Sequence, residues 1–149
     1  MKIIKAVSTD PIELTALTIE SKSHWDYSSK QIESWKDSLT ISPEYICQGN
    51  VYKLIDNNDL IGYYSYIVLT PKKVKLDNIF IKPIFIGKGY GKIMMNHLFE
   101  LLKSNDYERI VLEADSNVET FYRHFGFKVI GRLESSIKNR FLPIMELEL

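Results

Sequence analysis

The spacing of apolar residues changes sharply in the middle of the chain. Short apolar runs separated by turn residues predict strands at residues 51–56, 60–70 and 74–81, the first two forming a hairpin. After a glycine-rich turn, apolar side chains recur every three or four residues, which is the spacing of one helical face. The residues on that face are Tyr90, Ile93, Met94, Leu98, Leu101 and Leu102.

Helix-start signals dominate the first third of the chain. A weak alternation predicts a strand at residues 1–7, and Thr9 or Asp10 caps a helix that has Pro11 in its first turn and runs to about residue 22. Ser28 or Ser29 caps a second helix that continues to residue 39. A short third helix begins at residues 42–44.

The remainder of the chain predicts a strand, a short helix and two final strands. Residues 109–114 form a strand that a right-handed crossover places parallel to residues 74–81. Ser116 or Asn117 caps the short helix, and Gly126 suits its left-handed C-terminal position. The strands follow at residues 127–133 and 141–149. We therefore predict a single α/β domain over residues 1–149, with a mixed, mostly antiparallel sheet flanked by helices.

The composition of the chain mainly excludes classes of protein and of partner. A chain of 149 residues is long enough for one domain with a sizeable core, and its formal net charge of zero gives no electrostatic footprint for nucleic acid. Cys47 is the single cysteine, so no intramolecular disulfide forms. No apolar run has the length of a signal peptide or a membrane span. We expect a cytoplasmic protein with no nucleic-acid or membrane partner, and a homodimer stays open.

The glycine-rich turn is the strongest candidate site. Gly87, Gly89 and Gly91 stand at alternate positions, so the backbone can adopt positive φ and approach a ligand closely. Free N–H groups at the following helix start suit a phosphate or pyrophosphate. The spacing matches neither a P-loop nor the G-x-G-x-x-G of dinucleotide-binding folds, which disfavours an ATP- or NAD-binding domain.

This stretch resembles the signature of the GCN5-related N-acetyltransferases, the GNAT family. That signature is a strand, then Q/R-x-x-G-x-G/A, then a helix, and it aligns with residues 86–91, departing at Ile86 where the family has Gln or Arg. A second stretch, residues 115–127, looks like the family's Asn followed by F-Y-x-x-x-G-F. The resemblance covers about residues 50–149 and implies a sheet whose two parallel central strands splay apart.

The resemblance also implies a reaction and a cofactor site. The family moves the acetyl group of acetyl-CoA to a primary amine by direct attack in a ternary complex, without a metal. Tyr122 would lie beside the CoA sulfur as the general acid. The cofactor-binding residues would be Ile79, Phe80 and Ile81 along the amide arm, Ile86, Gly87, Lys88, Gly89, Tyr90, Gly91 and Lys92 around the pyrophosphate, and Asn117 and Phe121 from the second signature.

The acceptor amine cannot be named from the sequence: a small-molecule acceptor (a small amine, an amino-acid derivative or an antibiotic) and a peptide acceptor (an N-terminus or a lysine) both stay open. Residues 23–27 and 135–143 look similar to a bacterial subgroup whose acceptors are mostly unassigned, and they supply the candidate substrate contacts Trp25, Tyr27, Ser136 and Arg140. Arg140 would suit an acceptor carboxylate. In the alternative interpretation, Trp25 caps the core and Arg140 is solvated.

Two questions stay open at this point. Asp77, Glu113 and His24 are weak candidates for the general base, and we assign none. A non-catalytic module that binds or senses CoA would have the same fold, because fold alone does not give activity.

Overall fold

The chain forms a seven-stranded mixed sheet in the computed structural model, which describes residues 1–135, 137 and 140–149. The strand order is β1-β2-β3-β4-β5-β7-β6. The predicted fold class is confirmed. The strands are β1 (Lys2–Lys5), β2 (Val51–Asp56), β3 (Asp59–Thr70), β4 (Lys73–Ile81), β5 (Arg109–Glu113), β6 (Lys128–Glu134) and β7 (Phe141–Glu148).

One pair of neighbouring strands is parallel. β4 and β5 pair from Lys73 with Arg109 to Lys75 with Val111, as the predicted crossover requires. β1 with β2, β2 with β3, β5 with β7, and β6 with β7 are antiparallel. The predicted hairpin between β2 and β3 turns at Asn57 and Asn58, whose φ angles of 50° and 64° are the left-handed values that a two-residue hairpin turn needs.

Six α-helices lie within the described residues, at the positions that the start signals indicate. They are α1 (Pro11–Ser23), α2 (Ser29–Ser34), α3 (Lys36–Leu39), α4 (Pro43–Cys47), α5 (Tyr90–Ser104) and α6 (Glu119–Arg123), with 3₁₀ turns at Pro83–Phe85 and Ser116–Val118. Of the residues predicted on the buried face of α5, Met94, Leu98 and Leu102 are fully buried. The prediction omitted Met95, which is fully buried as well.

The prediction of one helix from Ser28 or Ser29 to residue 39 is wrong, because the helix breaks at Trp35. Ser28 forms a capping box with Gln31, so the predicted start is correct. At Trp35, ψ falls to −2°, and the Ser34 and Ser38 hydroxyls bond carbonyl oxygens three residues earlier. Such side-chain bonds compete with the helical ladder and favour two short helices.

The cap of the last short helical segment also differs from the prediction. Asp115, rather than Ser116 or Asn117, accepts the capping bond, from the Asn117 amide at 2.9 Å. This places a carboxylate at the positive end of the turn. Gly126 has φ +96°, which confirms its left-handed conformation.

The contacts divide the chain into two compact units, so the single domain over residues 1–149 stays a prediction. Unit 1 comprises Met1–Ser65 and Asn78–Leu98. Its core gathers residues from α1, α4, β2, β3 and the connection between α3 and α4: Leu14, Leu17, Ile41, Ile46, Val51, Leu60 and Tyr63. Near this core, the Asp10 carboxylate accepts bonds from the Val7 amide at 2.7 Å and from Lys53 Nζ at 2.9 Å, instead of capping α1.

Unit 2 comprises Tyr66–Asp77 and Phe99–Leu149. Its buried core includes Val74, Leu76, Ile110, Leu112 and Met145. Ion pairs follow the strands: Arg109 pairs with Glu146 at 2.9 Å, and Lys75 pairs with Glu113 at 3.2 Å.

Candidate active site

The glycine turn between β4 and α5 has the open backbone that the sequence predicts. Gly87 and Gly89 have φ angles of +82° and +88°, and a Cβ atom built at either position meets nothing within 4 Å. Both residues are exposed. The glycine side of the turn is therefore open for at least 4 Å with respect to the described residues, and it is accessible to a ligand.

Backbone donors converge at this turn. The amide of Ile93 donates to the Gly89 carbonyl oxygen at 3.2 Å, which makes Gly89 the cap of α5. The four preceding amides, at residues 89–92, have no acceptor within the helix, as at every helix start. They lie at the positive end of the helix dipole, and the exposed Lys88 and Lys92 add charge nearby. The arrangement suits a pyrophosphate.

The strand leading into the turn approaches β3 unusually closely. A Cβ atom at Gly62 of β3 would lie 2.4 Å from the Phe80 carbonyl oxygen, so only glycine fits there. The Lys82 amide donates to the Ile61 carbonyl oxygen at 2.9 Å. Sequence reasoning missed the role of Gly62; its only signal is a glycine inside an apolar strand.

The C-terminal half of β4 extends beyond its pairing with β5. Among the described residues, the parallel ladder ends at Lys75 and Val111, whereas β4 continues to Ile81. Ile79, Phe80 and Ile81 are half-buried.

A buried polar cluster adjoins this part of β4 within unit 1. Ser65, which is fully buried, has its hydroxyl 2.8 Å from the Tyr45 hydroxyl and accepts a bond from Asn78 Nδ2 at 2.9 Å. The three side chains come from β3, α4 and β4. Sequence reasoning missed this cluster, because no local spacing connects the three positions.

Tyr122, the candidate acid, is a buried member of an aromatic cluster in unit 2. It is 6% exposed, and its ring lies 5.3 Å from that of Phe121 and 5.8 Å from that of Phe127. Burial raises its pKa well above the usual value, and the negative charge of Asp115 raises it further. The hydroxyl therefore stays protonated over the physiological range and is a weaker acid than an exposed tyrosine.

Asp115 organises the candidate residues of the second signature. Besides capping the turn through the Asn117 amide, it pairs with Arg140, whose Nη2 lies 3.5 Å from Asp115 Oδ1. Arg140 Nε also donates to the Ser116 hydroxyl at 3.0 Å. The alternative that Arg140 is solvated is therefore wrong: the side chain is half-buried and paired. Sequence reasoning gave Asp115 no role.

The other predicted acceptor residues divide between the units. Trp25 and Tyr27 belong to unit 1 and are half-buried, and Trp25 contacts His24 with ring centroids 5.2 Å apart. Arg140 belongs to unit 2. Ser136 lies outside the described residues. Among the candidate bases, Glu113 forms an ion pair with Lys75 at 3.2 Å.

Metal-binding clusters and membrane-spanning helices are both absent from the described residues. No group of three or more His, Cys, Asp or Glu side chains within them could hold a metal ion. None of the helices in the described part of the chain is long and apolar enough to cross a membrane.

Comparison with known proteins gives consistent matches. The model of the Acetyltransferase (GNAT) family matches residues 13–127. The chain is 30% identical over 116 residues to a probable spermine N(1)-acetyltransferase of Bacillus subtilis subsp. natto, covering 68% of this chain and 76% of that protein. It is 29% identical over 92 residues to the uncharacterized N-acetyltransferase ycf52 of Gracilaria tenuistipitata var. liui, covering 62% of this chain. The chain spans about half the length of the ycf52 relatives.

A solved structure shows the same fold. The PaiA N-acetyltransferase from Thermoplasma acidophilum, in complex with coenzyme A, superposes with a TM-score of 0.81 at 24% identity, covering 99% of this chain and 98% of that one. The family match spans most of the chain, including the glycine turn and the stretch around Tyr122. The chain therefore belongs to the Acetyltransferase (GNAT) family.

Proposed function

We propose that this protein is an N-acetyltransferase that moves the acetyl group of acetyl-CoA to a primary amine. The observation that carries the proposal is the turn at Gly87–Gly89, with positive φ, open space on its glycine side and unpaired helix-start amides. Membership of the GNAT family and the coenzyme A bound in a structure of the same fold support the pyrophosphate of acetyl-CoA as the ligand of this turn.

The proposed cofactor site uses backbone more than side chains. The pyrophosphate would lie on the amides of residues 87–92, and the amide arm would pair with backbone groups of Ile79, Phe80 and Ile81. Ile86 cannot make the side-chain contact that Gln or Arg makes in the family. Lys88 and Lys92 supply positive charge near the pyrophosphate, so acetyl-CoA binding should weaken as salt is added.

The proposed chemistry is direct attack in a ternary complex. A neutral amine nitrogen attacks the thioester carbonyl carbon, and a backbone N–H near Ile81 stabilises the oxyanion. The C–S bond then breaks, and Tyr122 donates a proton to the thiolate. Since burial and Asp115 raise the Tyr122 pKa, complete transfer to a thiolate is uphill, and the contribution belongs at the ~10²-fold low end for general acids.

Trp25, Tyr27, Ser136 and Arg140 remain the proposed acceptor contacts. The Arg140 guanidinium already pairs with Asp115, so an acceptor carboxylate would have to displace that partner. This favours an acceptor without a carboxylate. The similarity to a protein named as a spermine acetyltransferase points the same way. We place the reaction in the cytoplasm, where Cys47, an exposed free thiol, would stay reduced.

Calorimetric titration of acetyl-CoA into Gly89→Val tests the cofactor site. The substitution forces a β-branched residue into φ +88° and fills the open side of the turn. Gly49→Val is the matched control, because Gly49 has φ +95° in a loop elsewhere in unit 1. We expect Gly89→Val alone to lose affinity; equal affinities for Gly89→Val and wild type would place the site elsewhere.

A thiol-release assay separates the enzyme from the non-catalytic alternative. Acetyl-CoA is incubated with the protein and a panel of amines, and free CoA thiol is measured. Amine-dependent thiol release supports the enzyme. Tight acetyl-CoA binding without release under any amine supports a binding or sensing module.

A further inference from the structure

A lysine ammonium lies against two aromatic rings at the end of α1. Lys22 Nζ is 5.6 Å from the centroid of the Tyr27 ring and 5.7 Å from that of the Trp35 ring. The two ring centroids are 4.9 Å apart with an interplanar angle of 81°, so the rings present surfaces at right angles to each other. Both distances lie within the range of cation–π attraction. We call Tyr27 and Trp35 the aromatic pair.

The segment of the chain that carries the aromatic pair is acidic. Residues 10–48 contain seven acidic and three basic side chains, a net charge of −4 in a chain whose total is zero. All three members of the contact are half-buried, and α2, which leads into Trp35, has no buried residue. The rings are thus partly accessible, on the acidic part of the chain. The net charge of this segment attracts cationic ligands at long range, although Asp10 itself is buried and paired with Lys53.

We propose that the aromatic pair is an ammonium-binding subsite for a polyamine acceptor, and that Lys22 occupies it in the absence of the acceptor. The proposal rests on the proposed acetyl transfer and deepens it by naming the class of acceptor. A polyamine matches the net negative charge of residues 10–48 and carries no carboxylate to compete for Arg140.

The chemistry of acetyl transfer explains why more than one nitrogen is needed. The attacking nitrogen must be neutral, because an ammonium has no lone pair, and so it is not the group held on the aromatic faces. The new N–C bond forms at one terminal amine, the C–S bond breaks, and the proton lost by that amine balances the proton gained by the thiolate. The aromatic pair holds another nitrogen of the same acceptor, which stays charged throughout.

Tryptophan fluorescence tests this subsite without any turnover. Spermidine should change the tryptophan emission of the wild-type protein saturably, whereas butylamine at equal concentration should bind far more weakly. Adding Lys22→Gln removes the internal competitor and should tighten spermidine binding about two- to fivefold, the range of one exposed cation–π contact. Lys30→Gln is the matched control, because it makes the same charge change at an exposed lysine and should not tighten binding.

Variants at Tyr27 separate recognition by the rings from simple charge attraction. Tyr27→Leu should weaken spermidine binding by about the same factor, and Tyr27→Phe should retain it, with melting curves confirming that both variants fold. If Lys22→Gln tightens spermidine binding no more than Lys30→Gln does, or if Tyr27→Leu binds spermidine like wild type, the subsite is wrong. Saturable binding of a lysine peptide but not of spermidine would also overturn it.

The test distinguishes this inference from the proposed function. Ring-dependent spermidine binding without amine-dependent thiol release would leave the subsite standing and remove the enzyme. Thiol release with an amine that the aromatic pair does not bind would support the enzyme and remove the subsite.

Discussion

The phenol of Tyr90 donates a hydrogen bond of 2.9 Å to Asp56 Oδ2, which ties the first residue of α5 to the last residue of β2. The Tyr90 ring also contacts Phe85 edge-on, with centroids 6.0 Å apart. The hydrogen bond to Asp56 is the main cause that raises the pKa of Tyr90, and burial and the Asp56 charge add to it. The phenol therefore keeps its proton above pH ~10. Tyr90, which follows the glycine turn, is thus held by Asp56 of β2 and by Phe85, which precedes the turn.

Removing the Tyr90 hydroxyl should loosen the glycine turn. We expect Tyr90→Phe to raise the Kd for acetyl-CoA with little change in kcat, because the ring remains against Phe85 but the Asp56 bond is lost. Isothermal titration of both proteins measures the effect. Tyr107→Phe, which removes a hydroxyl in unit 2, serves as the control. An affinity that Tyr90→Phe leaves unchanged would mean that the bond does not order the turn.

Adding one methyl group at Gly62 should disturb the end of β4. In Gly62→Ala the new Cβ meets the Phe80 carbonyl oxygen at 2.4 Å and the Ile81 Cα at 3.2 Å, so backbone must move. We expect a loss of ~1–3 kcal/mol in the free energy of unfolding. In Gly131→Ala, also within a strand, the nearest atom is Ile144 Cδ1 at 3.6 Å, and denaturant unfolding should show little loss. Equal losses in the two variants would contradict this account.

Tyr122→Phe should lower kcat and leave acetyl-CoA affinity unchanged. The substitution keeps the ring in contact with Phe121 and Phe127 and removes only the proton donor. Because the raised pKa makes the phenol a weak acid, the expected fall is about 10²-fold or less. Single-turnover kinetics measures the chemical step directly. An unchanged rate there would leave Tyr122 a packing residue only.

The same residue should make the protein sensitive to alkali. The folded-state pKa of Tyr122 is raised, so its contribution to stability is complete below the unfolded value of ~10 and is lost as pH rises toward the folded value. Above pH ~10, the free energy of unfolding of wild type should therefore fall with pH more steeply than that of Tyr122→Phe. The difference in slope, measured by urea unfolding, should be up to ~1.4 kcal/mol per pH unit. Parallel curves for the two proteins through the alkaline range would show that the phenol is not buried in solution.

The sequence predicted the features that depend on neighbours in the chain. The glycine turn, α5 and the β2–β3 hairpin follow from glycine spacing and hydrophobic period, and their bounds agree within a few residues. The helix break at Trp35 depends on serine hydroxyls that compete for backbone carbonyl oxygens, and the spacing of apolar residues does not predict such bonds. The Asp56–Tyr90 bond and the approach of Gly62 to Phe80 join residues 34 and 18 positions apart, and only the folded chain brings them together.

The short ladder between β4 and β5 has a consequence for hydrogen exchange. Successive amides of a strand point alternately to its two neighbours, and β4 lies between β3 and β5. β3 and β4 are hydrogen-bonded neighbours, so amides of β4 that face β3 are expected to be protected, whereas from Leu76 to Ile81 the amides on the other side lie beyond the last described pair with β5. Exchange rates along this part of β4 should therefore alternate in the free protein, and a bound ligand that adds a surrogate strand should make them uniformly slow.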